Sequence, residues 1–388
     1  MNPRLPIVVA LCAAIAAGAY FFFGRETWIS TVILTVPAIQ PASGNAQAAG
    51  EAGENSAAGT SSDAAKKSAL DWKRLTAMAK LFGAGGGDNP FPEVTEEDIA
   101  RFLATHGETP ANLVAASEAL HDRRLLYRAL ELFPNSPIVL MALVGKRDGP
   151  WPKPGEFSPV DPERMALIER FKAADPNNPL PWIFSAMELL TSGQTADGVA
   201  AIRAALERPA FYIYATEGWD ATQRLYEDLG HHPIEASLLA MAGMAIPHTG
   251  AAQQASRRLT EWQKAATDSG DTAAAADAIR LTYDLGHTFA TPEASRLLIG
   301  QLVGISIEHR ALEALPADAQ PDWLTVTPTQ RLAEMVKEKQ EIKDLDVESN
   351  MAWLIQSENE QLLAEYLRRN RADGDFSAFK WLKAQRKK

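Results

Sequence analysis

The sequence predicts an all-α fold built of stacked helix pairs, and three observations carry that expectation. The segment Ser192-Gly193-Gln194-Thr195-Ala196, running to Ala201-Ile202-Arg203, recurs as Ser269-Gly270-Asp271-Thr272-Ala273, running to Ala278-Ile279-Arg280, about 77 residues later with the same internal spacing. In each copy glycine stands where one helix stops and Thr or Asp where the next starts, as at the corner of a helical hairpin. Helix-start signals also come in series from Thr95 onward. Finally, β-branched and aromatic runs of period two are nearly absent. Ile213 with Phe211, Tyr212 and Tyr214 is the one short candidate strand, and a lone strand makes no sheet.

The chain begins with an apolar run from Leu5 to Phe23 flanked by Arg4 and Arg25, about 19 residues and so long enough to span a bilayer as a helix. The run ends in Tyr20-Phe21-Phe22-Phe23 rather than in small residues, which favours an uncleaved anchor over residues 1–26. The alternative is secretion after signal-peptide cleavage, for which Ala46-Gln47-Ala48 has the small-x-small form but lies far beyond the apolar core. The positive N-terminus points to a single-pass inner or plasma-membrane protein whose bulk is periplasmic or extracellular, although Arg25 on the other flank weakens that orientation. Cys12, the sole cysteine, falls inside the run, so the rest of the chain can form no disulfide, cysteine-ligated zinc site or cysteine nucleophile.

Residues 27–92 read as a flexible linker with one short helix. Pro37 to Lys67 is rich in Ala, Gly, Ser, Asn and Gln and cannot bury enough surface to offset chain entropy. As a random coil of this length it would hold the folded part roughly 30 Å from the bilayer. Leu70 to Phe82 has helical periodicity, and Gly83-Ala84-Gly85-Gly86-Gly87-Asp88 ends it. That glycine cluster is a linker and not a phosphate loop, because a helix precedes it where a strand is required and Asn89-Pro90-Phe91-Pro92 follows.

Residues 93–326 form the expected repeat domain. Thr95 with Asp98, Thr109-Pro110, Asp161-Pro162 and Thr291-Pro292 each combine a side-chain acceptor for free amides with, in most cases, a proline whose missing donor costs nothing there, and Thr327-Pro328 opens the next region in the same way. Phe133-Pro134-Asn135-Ser136-Pro137 and Asp175-Pro176-Asn177-Asn178-Pro179 each end one helix and begin another. The second junction leads into a helix from Pro179 to Leu190, the Ser-Gly corner, and a helix from Thr195 to Glu207. The proline-rich Gly149-Pro150-Trp151-Pro152-Lys153-Pro154-Gly155 interrupts the array as a loop. Residues 327–388 read as a C-terminal helical cap with a basic tail, the polar outer face that a repeat array needs.

The window Asp175 to Pro209, with its Asp-Pro-Asn-Asn-Pro junction, Trp182, and the small residues Ala186, Gly198 and Ala205 interleaved with Leu189 and Ile202, resembles the tetratricopeptide repeat. A looser match ends at Pro134, and Glu261 to Gly286 keeps the corner and second helix but shifts its tryptophan to Trp262. The resemblance covers about half of the chain. It implies tetratricopeptide-like hairpins forming a right-handed solenoid whose groove binds a peptide or another protein, and no catalysis.

The residues themselves offer little chemistry. The hydrophobic content of 46%, charged content of 22% and net charge of -11 are those of an ordinary globular protein without general affinity for nucleic acid. The basic end Lys383, Arg386, Lys387 and Lys388 reads as solvated. None of His106, His121, His231, His232, His248, His287 and His309 falls into a metal-ligand spacing, and no Gly-x-Ser-x-Gly is present, so no catalytic residue, metal or cofactor is expected. Glu96-Glu97 and Glu338 with Glu341 fit helix starts and solvated faces. Gly300-Gln301-Leu302-Val303-Gly304 has the spacing of close helix contact.

The aromatic cluster Phe211, Tyr212, Tyr214, Trp219 and Tyr226 follows the best repeat and departs from its pattern. Core packing accounts for such a cluster, but together with Trp151 it could instead line the groove as anchors for a partner, and these six are the expected binding residues. The function expected is that of a membrane-anchored, non-catalytic scaffold in the bacterial cell envelope. The alternative is an all-α envelope enzyme or a small-ligand or glycan-binding protein with its site near residues 211–226.

Overall fold

The computed structural model describes residues 70–73, 75, 92–146, 151–209, 211–290 and 294–387, and among them it is helical without a strand. The segment 211–214, the one candidate strand, is irregular: Tyr214 takes a left-handed φ of 53° and ends it by opening a helix. No helix among the described residues is long and apolar enough to cross a membrane. The anchor expected at 1–26, most of the 27–92 linker and the Thr291-Pro292 start lie outside the described residues.

The chain starts with α1 (Glu96–His106), α2 (Pro110–Leu120), α3 (Arg123–Leu132) and α4 (Pro137–Gly145). The start signals act as their chemistry requires. Thr95 and Asp98 close a reciprocal capping box on α1, and Thr109 accepts from the amide of Asn112 at the head of α2. Ser136 stands at the N-cap of α4 but makes no side-chain bond there, leaving Pro137 to remove one orphan donor instead.

Next come α5 (Pro162–Ala174), α6 (Leu180–Thr191) and α7 (Thr195–Leu206). Asp161 caps α5 through the amides of Glu163 and Arg164. The Asp-Pro-Asn-Asn-Pro junction is held by Asn178, which is 1% exposed. Its Oδ1 accepts from the Leu180 amide at 3.1 Å, and its Nδ2 donates to Asp175 at 2.9 Å and to the Tyr212 carbonyl at 2.8 Å. Trp182 packs against the neighbouring buried core. It is half-buried between the Lys172 ammonium at 4.3 Å and the Arg208 guanidinium at 3.9 Å, a double cation–π stack at the surface.

After α8 (Ala215–Asp228) and α9 (Pro233–Ala242), the long α10 (Pro247–Ser269) and α11 (Thr272–Thr288) form the second copy of the recurring segment. Both corners turn on a left-handed glycine, Gly193 at φ 82° and Gly270 at φ 78°. The two copies are also neighbours in space. Helix α10 packs along α6, α7 lies against α11, and Arg203 pairs with Asp277 across the latter contact.

A 3₁₀ turn (Ala294–Arg296) leads into α12 (Leu298–Glu313), followed by α13 (Pro328–Asp344), α14 (Val347–Gln356), α15 (Glu360–Asp373) and α16 (Asp375–Arg386). Thr327 and Gln330 form a second capping box at α13. One core runs from α2 through α7 and on to α10, α11 and α12, with Phe171, Phe184, Ile202, Leu259 and Phe289 at its centre. A second core joins residues 327–388 to α8, α9 and Leu75, around Leu239, Met335, Leu354 and Tyr366. Helix α12 serves both, giving Val303 and Ile307 to the first and Leu302, Ile305 and Leu312 to the second.

Candidate functional site

The double role of α12 requires a close crossing with α11, and glycine provides it. A Cβ on Gly286 would stand 2.8 Å from the Glu308 amide nitrogen, and one on Gly304 would stand 2.9 Å from the Phe289 Cβ. Gly300 fits equally tightly beneath the Ala294 carbonyl. The Gly300-x-x-x-Gly304 spacing thus serves helix packing.

One turn beyond Gly304, Glu308 is 2% exposed. Its Oε2 accepts from Arg331 Nη2 at 2.8 Å, and its Oε1 lies 3.4 Å from His287 Nδ1. Arg331 also donates to Glu338 at 2.6 Å and approaches Glu334 at 3.4 Å. Burial works against the charged guanidinium, but its bonds to Glu338 and Glu308 outweigh that and raise its pKa. His287 is raised chiefly by its hydrogen bond to Glu308, with burial opposing. Tyr283 stacks on His287 with centroids 6.3 Å apart and tilts against Trp323 at 5.1 Å. Its phenol is pushed up by burial first and by the Glu308 charge second.

These side chains edge an open cleft of about 580 Å³ between α11, α12 and α13. Phe289, Ile305, Leu324, Val326, Ile342 and Phe376 make its apolar lining, and Glu334, Glu338 and Glu341 stand along it on α13. The i, i+4, i+7 spacing puts those three carboxylates on one helix face. Sequence reasoning took Glu338 and Glu341 for a solvated face. Half of that holds, since Glu338 is 42% exposed, but the same face forms a wall of the cleft.

The six expected binding residues divide between the two cores, four on the first, where the Tyr212 and Tyr214 rings meet at 4.9 Å, and two in the second. Phe211 and Tyr214 are buried in the first core, Phe211 edge-on to Phe289 at 5.4 Å and Tyr214 bonded to Asp175. Trp219 and Tyr226 are 5% exposed in the second core, where Trp219 Nε1 donates to Ser237 at 3.1 Å and burial pushes the Tyr226 phenol up to about 12. Tyr212 and Trp151 are half-buried against the first core, and the Tyr212 hydroxyl donates to Glu217 at 2.8 Å. Phe211, Tyr214, Trp219 and Tyr226 are thus buried side chains, while Tyr212 and Trp151 keep part of their surface exposed. Stapling of residues 211–214 to the Asp175–Asn178 junction goes with Phe211 and Tyr214 turned inward, their apolar surface covered by the protein itself.

The histidines are dispersed. His106 meets Asp228 at 2.8 Å, His231 meets Glu235 at 3.2 Å, and His248 is buried beside the touching pair Phe211 and Phe289. Among the described residues no group of three or more His, Cys, Asp or Glu side chains converges as a metal site. Comparison with known proteins finds no matching family model, no matching curated protein and no matching solved structure. The cleft must therefore be read from its own chemistry, an apolar trough beside a row of carboxylates with one buried Glu–Arg pair at its base.

Proposed function

We propose that the protein is a membrane-anchored, non-catalytic helical-repeat module of the bacterial cell envelope that binds a protein or peptide partner. In this reading the anchor at 1–26 and the linker fix location and reach, and tetratricopeptide-like pairs such as α6–α7 and α10–α11 continue as a right-handed solenoid. The observation that supports it is the cleft between α11, α12 and α13, which offers an apolar lining with polar groups at its edge. The partner site is placed there and no longer at the buried aromatics.

The test is affinity capture from detergent-solubilised native membranes with the tagged full-length chain, followed by direct binding of the purified captured protein. A variant with Leu324→Ala and Phe376→Ala, which also trims two side chains packed on the second core, should lose that partner while its helical circular dichroism shows it folded at the assay temperature. Retention of the partner by the variant refutes the cleft assignment.

A second reading, an all-α enzyme or small-ligand-binding protein of the envelope, is favoured by one observation. His287 touches the buried Glu308 while its ring is 68% exposed, and a carboxylate-oriented imidazole is a common general base. That reading requires a small molecule whose turnover or binding is abolished by His287→Gln.

A further inference from the structure

We infer that the cleft receives a lysine or arginine side chain of the partner, carried on a segment with apolar residues beside it. This deepens the binding-module reading and rests on it. Four carboxylates line the cleft, those of Glu308, Glu334, Glu338 and Glu341, against the single guanidinium of Arg331. Arg331 is already engaged: Glu308 and Glu338 hold it at 2.8 and 2.6 Å, leaving Glu334 a longer contact of 3.4 Å. Glu341 has no partner among the described residues. The surplus is negative and faces the opening.

The layout of that surplus selects among cations. Glu334 to Glu341 rises about 10 Å along α13 at roughly 1.5 Å per residue. Glu308, Glu338 and Glu334 are gathered around Arg331 and Glu341 stands about a turn further along the wall, with no metal-ligand cluster among the described residues. A metal ion would have to displace the guanidinium that those three carboxylates already hold. A long basic side chain fits better, because its methylene stem can lie on Ile305, Ile342 and Phe376 while its charged head reaches the Glu334–Glu341 row. An acidic segment would meet like charge, and a purely apolar one would strip water from the carboxylates without pairing them.

The test uses full-length protein in lipid nanodiscs and three short fluorescent peptides with leucine at alternate positions and lysine, norleucine or glutamate at the centre. The lysine probe is expected to bind about tenfold tighter than the norleucine probe, a difference of one charge-assisted contact. That preference should shrink as salt is raised. Glu334→Gln with Glu341→Gln should abolish the preference while norleucine affinity and melting temperature stay unchanged, and Glu341→Lys should turn it into discrimination against lysine. Equal affinity for lysine and norleucine would overturn this inference and leave the binding-module reading standing. The strongest binding by the glutamate probe would overturn it in sign. If no probe binds at millimolar concentration, both readings of the cleft fall.

Discussion

Gly286 and Gly304 cross with their backbones in contact. A Cβ on Gly286 would stand 2.9 Å from the Gly304 carbonyl oxygen, and a Cβ on Gly304 would stand 2.8 Å from that of Gly286. Neither obstacle is a flexible side-chain end, so an added methyl must push α11 and α12 apart. Gly304→Ala should cost about 1–3 kcal/mol as an overpacking change. Gly250→Ala, in the first turn of α10 with nothing within 4 Å of its Cβ position, should instead stabilise, by at most about 0.5–1 kcal/mol. Urea denaturation of the two variants checks the opposite signs.

Burial holds His248 neutral, lowering its pKa from 6.5 to about 4, and its Nε2 has no hydrogen-bond partner among the described residues. Between those two values the unfolded chain binds the proton and the folded chain does not. The contribution of this group is therefore complete above about pH 6.5 and is lost as pH falls toward 4, on the order of 3 kcal/mol in total. His248→Phe keeps a ring packed against Phe211 and Phe289 and removes the titration. The variant should gain stability over wild type at pH 5 relative to pH 7.5, measured as the change in denaturation midpoint at each pH.

Glu308 raises the pKa of His287 and anchors Arg331. In Glu308→Gln the imidazole should titrate closer to the ordinary histidine value, visible in the pH dependence of its ring protons by NMR. Glu308→Ala should also destabilise the fold by about 3 kcal/mol, the low end for breaking a buried pair, because Arg331 keeps Glu338. An unmoved imidazole titration would show that the 3.4 Å contact carries no interaction in solution.

Helix α12 has no cap of its own. Leu297 stands at its N-cap without a side-chain bond, and the Leu298 amide donates to Asp375 Oδ2 at 3.0 Å, across 77 residues of chain. Asn370 orients that carboxylate from its other side at 2.6 Å, and burial raises its pKa. Asp375→Ala should cost about 1–2 kcal/mol, in the range of a lost N-cap, and Asp375→Asn should recover part of it. Melting temperatures of the pair decide this.

The helix ends were legible because their chemistry is local. Thr95 with Asp98, Thr327 with Gln330, Asp161, and the glycines 193 and 270 act within a turn of their own positions. The recurrence of Ser192–Arg203 as Ser269–Arg280 foretold two hairpins, and these pack on each other. The aromatic segment misled because a run of Phe and Tyr looks the same lining a groove or filling a core. The bonds that decide between them, from Asn178 and Asp175, come from more than thirty positions away. The cleft left no sequence signal because its walls are one face each of three helices, with Phe376 arriving from a fourth.

The order of synthesis gives the Asp375 contact a further meaning. A ribosome reaches residues 375 and 376 only after every other wall of the cleft has been made, and those two residues supply the cap of α12 and an apolar side chain of the lining. A chain still being translated, or one cut short by proteolysis before Gly374, would carry its carboxylate row without a finished pocket. The cleft is thus complete only in a chain that carries the start of α16, however fully α11, α12 and α13 have formed before it.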